Sequence, residues 1–261
     1  MPPTVSVDAW LAALDRRHLA DLTRSEVTRA LRALSSCYVE RRDKLAGGGA
    51  LAGAGKRAAF ALFYGPQHFV ITREVVRAIR PAGAPYSRLV DLGCGTGTAG
   101  AAVALETGAV IEGCDLSPWA VAEANWTYRA LALRGRARVG NIDRARIGAS
   151  PGTLVLAAYA VNELPEEARQ PLLERLMDAH ARGATLLVIE PIGRRVNLWW
   201  TSWAAALTAA GGRQDDWRFR AALPPTQRAL AKGAGLGVQE LTARSLFLQS
   251  PVRESGPRAS G

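Results

Sequence analysis

Residues 90–100, VDLGCGTGTAG, constrain the fold of this 261-residue chain more than any other stretch. A short apolar run precedes them, glycines alternate along them, and the small helix-compatible residues 99–104 follow. Glycine permits positive φ and a close backbone approach to a ligand, and a helix that starts here presents free N–H groups. The order of strand, tight turn and helix therefore predicts a site for a nucleotide-like ligand.

Two ligand classes fit this loop. Gly95, Gly97 and Gly100 match the pattern G-x-G-x-x-G, which places a dinucleotide pyrophosphate at a helix N-terminus. Asp91, at the end of the preceding strand, would repel a pyrophosphate but could hold an ammonium group. S-adenosylmethionine carries an α-amino group and a sulfonium and has no phosphate. The acid followed by Gly93, Gly95 and Gly97 resembles the first motif of the class I S-adenosylmethionine-dependent methyltransferase family.

This resemblance implies an α/β fold: a Rossmann-like seven-stranded sheet with a helical N-terminal cap. The expected divisions are a cap or lid over residues 1–84, a cofactor-binding methyltransferase domain over residues 85–250, and a disordered tail over residues 251–261. S-adenosylmethionine is the expected cofactor. Residues 237–241 and 245–248 are predicted to form the antiparallel hairpin that closes such sheets.

The N-terminal region has a helical pattern. Apolar spacing predicts helices within residues 7–45, the second capped by Thr23 or Ser25. Residues 46–55 are glycine-rich and predict a hinge. Two further helices, 56–64 and 69–79, are expected to be interrupted at Gly65 and Pro66, because proline removes a backbone donor. His68 is then a candidate lid residue, or a histidine that only packs against neighbouring aromatic side chains.

Acids or amides follow the next two predicted strands. Asp115 ends the strand over residues 109–114, about 20 residues past the glycine turn, where it could accept the ribose hydroxyls; alternatively it stabilises the start of the next helix. Leu116 is expected beside the adenine. Asp143, or alternatively Asn141, follows the strand 137–139 and is similar to the family position that receives the adenine amino group. The remaining expected cofactor-binding residues are Cys94, Ile142 and Ala158.

The candidate catalytic residues follow the fourth and fifth predicted strands. Residues 152–158 are almost entirely apolar, as in a buried parallel strand, and Tyr159, Asn162 and Glu163 come after them. Ligands bind at such strand ends in open α/β sheets. Glu163 could act as a base or as a hydrogen-bond anchor, or could be no more than a helix-start acid. Glu190 ends the strand 184–189 at the same edge, and two carboxylates there favour a cationic or hydrogen-bond-donating acceptor.

The charge and the aromatic content leave the partner open. The net charge is +10 and nearly all basic residues are arginine, which suits RNA or reflects a GC-rich genome. Tryptophans and arginines interleave over residues 194–220, which suits base stacking or a core helix. The runs AYAVNELP, IEP and DDWRF also resemble the small-ribosomal-subunit methyltransferase-like family. That resemblance implies RNA or the ribosomal small subunit as partner; a small-molecule acceptor and a non-catalytic cofactor-binding role are the alternatives.

Cysteine and apolar patterns bear on the compartment. The three cysteines have no C-x-x-C spacing, so neither a disulfide framework nor a metal site is expected, and residues 215–219 carry none of the cysteines that hold a metal centre in the ribosomal family. No apolar run reaches the roughly 20 residues of a membrane span. A cytoplasmic protein without membrane attachment is the expectation.

Overall fold

The computed structural model describes residues 6–40, 51–79, 86–192, 198–220 and 223–250. The α-helices are α1 Val7–His18, α2 Arg24–Glu40, α3 Ala54–Ala59, α4 Gly65–Ile79, α5 Thr98–Thr107, α6 Pro118–Ala130, α7 Glu166–Ala181, α8 Leu198–Ala209 and α9 Pro225–Ala234. The strands are β1 Arg88–Leu92, β2 Val110–Asp115, β3 Gly135–Val139, β4 Thr153–Ala158, β5 Thr185–Glu190, β6 Arg213–Arg220 and β7 Glu240–Leu248. Part of the predicted hinge, residues 46–50, and the predicted tail, residues 251–261, lie outside the described residues.

All seven strands form one sheet in the order β3-β2-β1-β4-β5-β7-β6, which confirms the predicted fold class. β1 to β5 pair in parallel, and β7 runs antiparallel to both β5 and β6. Apolar clusters cover both faces, one including side chains of α1, α2 and α4 to α6, the other including side chains of α7 and α8. The carboxyl ends of the five parallel strands therefore share one edge, where ligands bind in such sheets.

The C-terminal hairpin differs from the prediction. β7 is a single strand over Glu240–Leu248. Its antiparallel neighbour is β6, Arg213–Arg220, and helix α9 lies between the two strands in the chain. The sequence of β6, RQDDWRFR, has a charged face because this strand lies at the sheet edge, with exposed and half-buried residues alternating along it. Trp217 and Phe219 on its inner face stack with ring centroids 6.0 Å apart. The predicted pair of short strands was therefore wrong, and the strand lay in the segment with aromatic and basic residues.

The predicted break at Gly65 and Pro66 is also wrong. A π-helical turn over Phe60–Tyr64 connects α3 directly to α4, and the N–H of Gly65 donates to Phe60 O. Pro66 has no N–H to donate to Leu62 O in this joined helix, and Gln227 Nε2 of α9 donates to that oxygen instead, at 2.7 Å. The start of α2 follows the prediction at Thr23, whose Oγ1 accepts from the N–H of Glu26 while its own N–H donates to that glutamate.

Ion pairs to the buried Glu123 of α6 connect this helix to α1. Glu123 accepts hydrogen bonds from Arg17 Nη2 at 2.7 Å and lies 3.1 Å from His18 Nε2. Burial opposes ionisation of this carboxyl, but the hydrogen bonds and charges of His18 and Arg17 lower the pKa of Glu123 to about 2. Among the described helices, none is long and apolar enough to cross a membrane.

We expect Glu123→Gln to lower the free energy of unfolding by about 2 kcal/mol, because the hydrogen bonds lost are made to a charged group. Since the pKa of Glu123 is lowered by folding, its contribution is complete above the pKa of the unfolded chain and disappears as pH falls towards 2. Urea unfolding at pH 7 and pH 3 measures this. The exposed Glu167→Gln is the control; equal destabilisation by both variants would contradict the account.

Candidate functional site

Three glycines bend the loop between β1 and α5. Gly93, Gly95 and Gly97 have φ of 70°, 52° and 77°. A Cβ on Gly93 would lie 2.6 Å from Ala160 Cβ, and one on Gly97 would lie 2.7 Å from Tyr128 Cε1, so neither position has room for a side chain. At Gly95 nothing lies within 4 Å. The loop therefore packs closely against Ala160 at Gly93 and against Tyr128 at Gly97, and it leaves open space at Gly95.

Asp115 connects this loop to the end of β2. Its Oδ2 accepts from Gly95 N at 2.9 Å and its Oδ1 from Ser117 N at 2.8 Å. Ser117 caps α6 as predicted, accepting from Ala120 N at 3.3 Å. Both alternatives for Asp115 fit this geometry, because a carboxylate has about four acceptor positions and two stay open for ribose hydroxyls.

Asp91 lies beneath the loop with 1% of its surface exposed. Burial and the nearby charge of Asp115 raise its pKa to about 7. Its Oδ2 has no hydrogen-bond partner among the described residues. A Cβ on Gly100 would come 2.3 Å from this oxygen, so Gly100 is needed to make room for the acid. A buried acceptor without a partner fits the ammonium group of S-adenosylmethionine and does not fit a pyrophosphate.

The turn after β3 brings the predicted adenine residues to the same edge. Ile142 is buried, and one of its methyl groups lies 3.9 Å from the Cβ position of Gly93. Asn141 Oδ1 accepts from Asp143 N at 3.0 Å, so the amide is engaged within the turn while Asp143 is exposed. This arrangement leaves Asp143 the better placed of the two for a ligand.

Sequence reasoning missed the residue that anchors this turn. Arg175 on α7 donates to the carbonyl oxygens of Ile142 at 2.9 Å and Asp143 at 2.6 Å, and also to that of Ala145. No local pattern could indicate this contact, because Arg175 lies 33 residues from Ile142. Leu116 at the neighbouring strand end is 64% exposed, and its expected contact with the adenine stays a prediction.

Tyr159 follows β4 with a strained backbone. Its φ is 59°, a value that a bulky residue rarely adopts outside functional turns. Its ring stacks on His68 of α4 at 3.7 Å between centroids and 8° between planes. Burial lowers the pKa of His68 to about 3, so the imidazole is neutral, and burial together with the charge of Glu190 raises the pKa of Tyr159. The packing alternative for His68 fits this stack, and its role as a lid residue stays a prediction.

Glu163 lies at the end of the short 3₁₀ turn Val161–Glu163. Solvent reaches this side chain, yet desolvation by the protein around it, with the charge of Asp115, raises its pKa to about 7. It is also close enough to Glu190 to raise that residue's pKa. Glu163 therefore lies between the ends of β2 and β5.

Glu190 is fully buried and engaged on both oxygens. Its Oε1 accepts from Val161 N at 2.9 Å and Asn162 N at 3.1 Å, and its Oε2 accepts from Asn162 Nδ2 at 2.7 Å. Burial raises its pKa to about 8, although the three N–H donors work in the opposite direction. The two glutamates are thus close together, but Glu163 is accessible and Glu190 is not.

The remaining predicted residues line the same edge. Cys94 is buried in the glycine loop, and its N–H donates to Cys114 O at 2.9 Å. Ala158 is buried at the end of β4, opposite Ile189. Within the described ranges, no cluster of histidine, cysteine or acidic side chains is arranged to hold a metal ion.

The tryptophans of helix α8 pack in the core or form hydrogen bonds within the protein. Trp200 and Trp203 are buried in the core, and Trp199 Nε1 donates to Asn162 Oδ1 at 3.0 Å. On β6, Trp217 Nε1 donates to Ser245 Oγ at 2.8 Å. The core alternative is therefore confirmed for Trp200 and Trp203, whose faces cannot stack on bases. The predicted basic neighbours Arg194 and Arg195 lie outside the described residues.

We expect Asp115→Asn to raise the Kd for S-adenosylmethionine on the order of tenfold to a hundredfold, because the amide cannot accept on both sides. Isothermal titration calorimetry measures this. Glu112→Gln is the control on the same strand, where the carboxylate pairs at the surface with Arg88. Glu112→Gln should leave the Kd within about twofold of the unaltered protein; equal effects of both changes would remove Asp115 from the cofactor site.

The chain is similar to known proteins in sequence over one segment and in structure over most of its length. Residues 89–183 match the family model described as a methyltransferase domain. No curated protein matches the sequence. The resemblance to the small-ribosomal-subunit methyltransferase-like family is not confirmed by this match.

Solved methyltransferase structures are similar to this chain at low identity. The methyltransferase domain of bacterial CtHen1-C has 14% identity and a TM-score of 0.48, covering 71% of this chain and 98% of that one. A TehB-like methyltransferase from Corynebacterium glutamicum has 18% identity and a TM-score of 0.42, covering 83% and 98%. The plantazolicin methyltransferase BpumL has 13% identity and a TM-score of 0.46, covering 91% and 100%. These values carry no information about the acceptor.

The family match spans β1 to the end of α7, which is the part that contains the glycine loop, Asp91, Asp115 and the turn after β4. Residues 89–183 are thus similar to a methyltransferase domain over the part of the chain that carries the candidate cofactor residues.

Proposed function

We propose that this chain is a class I S-adenosylmethionine-dependent methyltransferase, that its acceptor presents an N–H or O–H group, and that Glu163 receives the hydrogen bond or the proton of that group. The observation that carries the proposal is the setting of Glu163. It is the accessible carboxyl after β4, its pKa is raised to about 7, and it lies between Asp115 and the buried Glu190. A carboxyl with such a pKa is well matched to accept a proton near neutral pH.

The cofactor residues follow from the loop and the strand ends. Asp91 would hold the ammonium group, Asp115 the ribose and Asp143 the adenine amino group, with Leu116 against the ring. The other lining residues would be Gly93, Cys94, Gly95, Gly97, Asn141, Ile142 and Ala158. When bound, S-adenosylmethionine supplies a methyl group activated by the positive sulfonium.

The charge of the site narrows the class of acceptor. The carboxyls of Asp115, Glu163 and Glu190 influence one another in a chain whose net charge is +10. An anionic acceptor group such as a carboxylate or phosphate would be repelled, whereas a neutral or cationic group would be attracted. Glu163 would take up the proton that the acceptor group loses when it becomes methylated. Alignment in a dry cavity can then supply much of the rate.

RNA stays the second candidate for the molecule that carries the acceptor group. It is supported by the net charge and by the exposed Arg136 and Arg138 of the edge strand β3, with Arg134 just before it. Trp200 and Trp203 are buried, so their rings are not available for stacking on RNA bases. Incubating the protein with S-adenosylmethionine labelled on the methyl group and with fractionated cell extract separates RNA, protein and metabolite acceptors. Binding of the cofactor without transfer to any fraction would indicate the non-catalytic role.

We expect S-adenosylmethionine binding at pH 7 to release about half a proton per site. A carboxyl whose pKa is about 7 is half protonated there, and an adjacent ammonium lowers that pKa. Calorimetry in buffers of different ionisation enthalpy measures the release. Asp91→Asn should remove the share that Asp91 contributes, about half a proton; the same release from that variant would contradict the assignment.

We expect kcat at saturating cofactor to rise about tenfold per pH unit below pH 7 and to level off above it, because the ionised form of Glu163 accepts the proton. Glu163→Gln should lower the plateau about a hundredfold and remove this pH dependence. The labelled fraction serves as acceptor in the assay. Glu166→Gln, in the exposed first turn of α7, is the control and should keep the profile; an unchanged profile in Glu163→Gln would rule out the base.

A further inference from the structure

The turn after β4 is held by a hydrogen-bond chain that reaches α8. Trp199 Nε1 donates to Asn162 Oδ1 at 3.0 Å, and Asn162 Nδ2 donates to Glu190 Oε2 at 2.7 Å. An indole N–H can only donate, so it fixes which end of the Asn162 amide carries the oxygen. The amino end must then face Glu190, which has to accept. The orientation of all three side chains is therefore determined by the indole.

The same chain holds the backbone of the turn. Glu190 Oε1 accepts the N–H groups of both Val161 and Asn162, the two residues that precede Glu163. Arg169 of α7 adds a third support, since it donates to Leu164 O at 2.8 Å. Glu163 thus stands between two anchored points, with Glu190 below on one side and Leu164 on the other.

We propose that Glu190, Asn162 and Trp199 are positioning residues: together they fix the placement of Glu163 towards the acceptor, and none of the three contacts the reacting atoms. This rests on the proposed function of Glu163. Glu190 has no exposed surface, and both its oxygens are engaged, so it reaches the acceptor only through the turn it holds. Trp199 connects that turn to α8, the helix that follows β5 in the chain.

A pair of tryptophan variants isolates this role without altering charge. Trp199→Phe removes the donor to Asn162, whereas Trp200→Phe, one residue along α8, removes an indole whose Nε1 makes no hydrogen bond within the described part of the chain. We expect Trp199→Phe to reduce kcat about tenfold, the scale of a small misplacement of a reacting group, with the Kd for S-adenosylmethionine unchanged. Trp200→Phe should leave kcat within about twofold.

A reciprocal exchange tests the pairing between β5 and the turn. Glu190→Gln places an amino group against Asn162 Nδ2, and Asn162→Asp places a carboxylate against Glu190, so each single change sets like groups together. In the double variant Glu190→Gln/Asn162→Asp, the new amide donates to the new carboxylate, and the acceptors for Val161 N–H, Asn162 N–H and Trp199 N–H are all retained. We expect each single change to lower kcat by a factor of ten to a hundred and the double variant to recover to within about threefold.

A measurement that needs no acceptor separates this proposal from the proposed function. The carbon-13 carboxyl resonance of Glu163, assigned by its loss in Glu163→Gln, should titrate near pH 7 in the unaltered protein and in Trp200→Phe. In Trp199→Phe, which alters neither Asp115 nor Glu190, the midpoint should fall towards the ordinary glutamate value of about 4.3. An unchanged midpoint and kcat in Trp199→Phe, or a double variant no better than the single ones, would overturn the proposal. If no extract fraction accepts methyl groups but the midpoint moves as expected, the positioning role stands and the proposed function fails.

Discussion

The site depends on backbone segments that approach more closely than side chains would allow. Gly93 faces Ala160 of the turn after β4, and Gly97 faces Tyr128 of α6, each at a distance that leaves no space for a Cβ. Any residue other than glycine would push the loop away from β4 or from α6. The carboxyls of Asp91, Asp115 and Glu163 come together only because this loop is so tightly packed.

The consequence is an acidic site in a basic chain. Asp91 is influenced by Asp115, and Asp115 in turn influences Glu163, which influences Glu190. Burial and mutual repulsion raise the pKa values of three of these four carboxyls to about 7 or 8. They are therefore partly protonated near neutral pH, and a cationic ligand such as S-adenosylmethionine would favour their ionised forms and release protons. Structural anchoring and ligand binding are divided among them, since Glu190 is engaged within the protein and Glu163 is accessible.

Local signals in the sequence predicted the parts of the fold that short-range physics determines. The glycine loop, the Ser117 cap and the acids at strand ends all follow from neighbouring residues. Contacts between distant segments could not be predicted in this way: Arg175 anchors the turn after β3, and Trp199 orients Asn162 across 37 residues. β6 was not predicted because its exposed face carries charges. The continuous helix through Pro66 was not predicted because a π-helical turn stands where a break was expected.

A crystal structure with S-adenosylhomocysteine tests the central claim most directly. The account predicts ligand density across the open centre of the glycine loop at Gly95, with the ammonium group within hydrogen-bond distance of Asp91, the ribose at Asp115, and the sulfur facing the turn that carries Glu163. Density that leaves Asp91 and Asp115 without ligand contacts, or a sulfur directed away from Glu163, would contradict it.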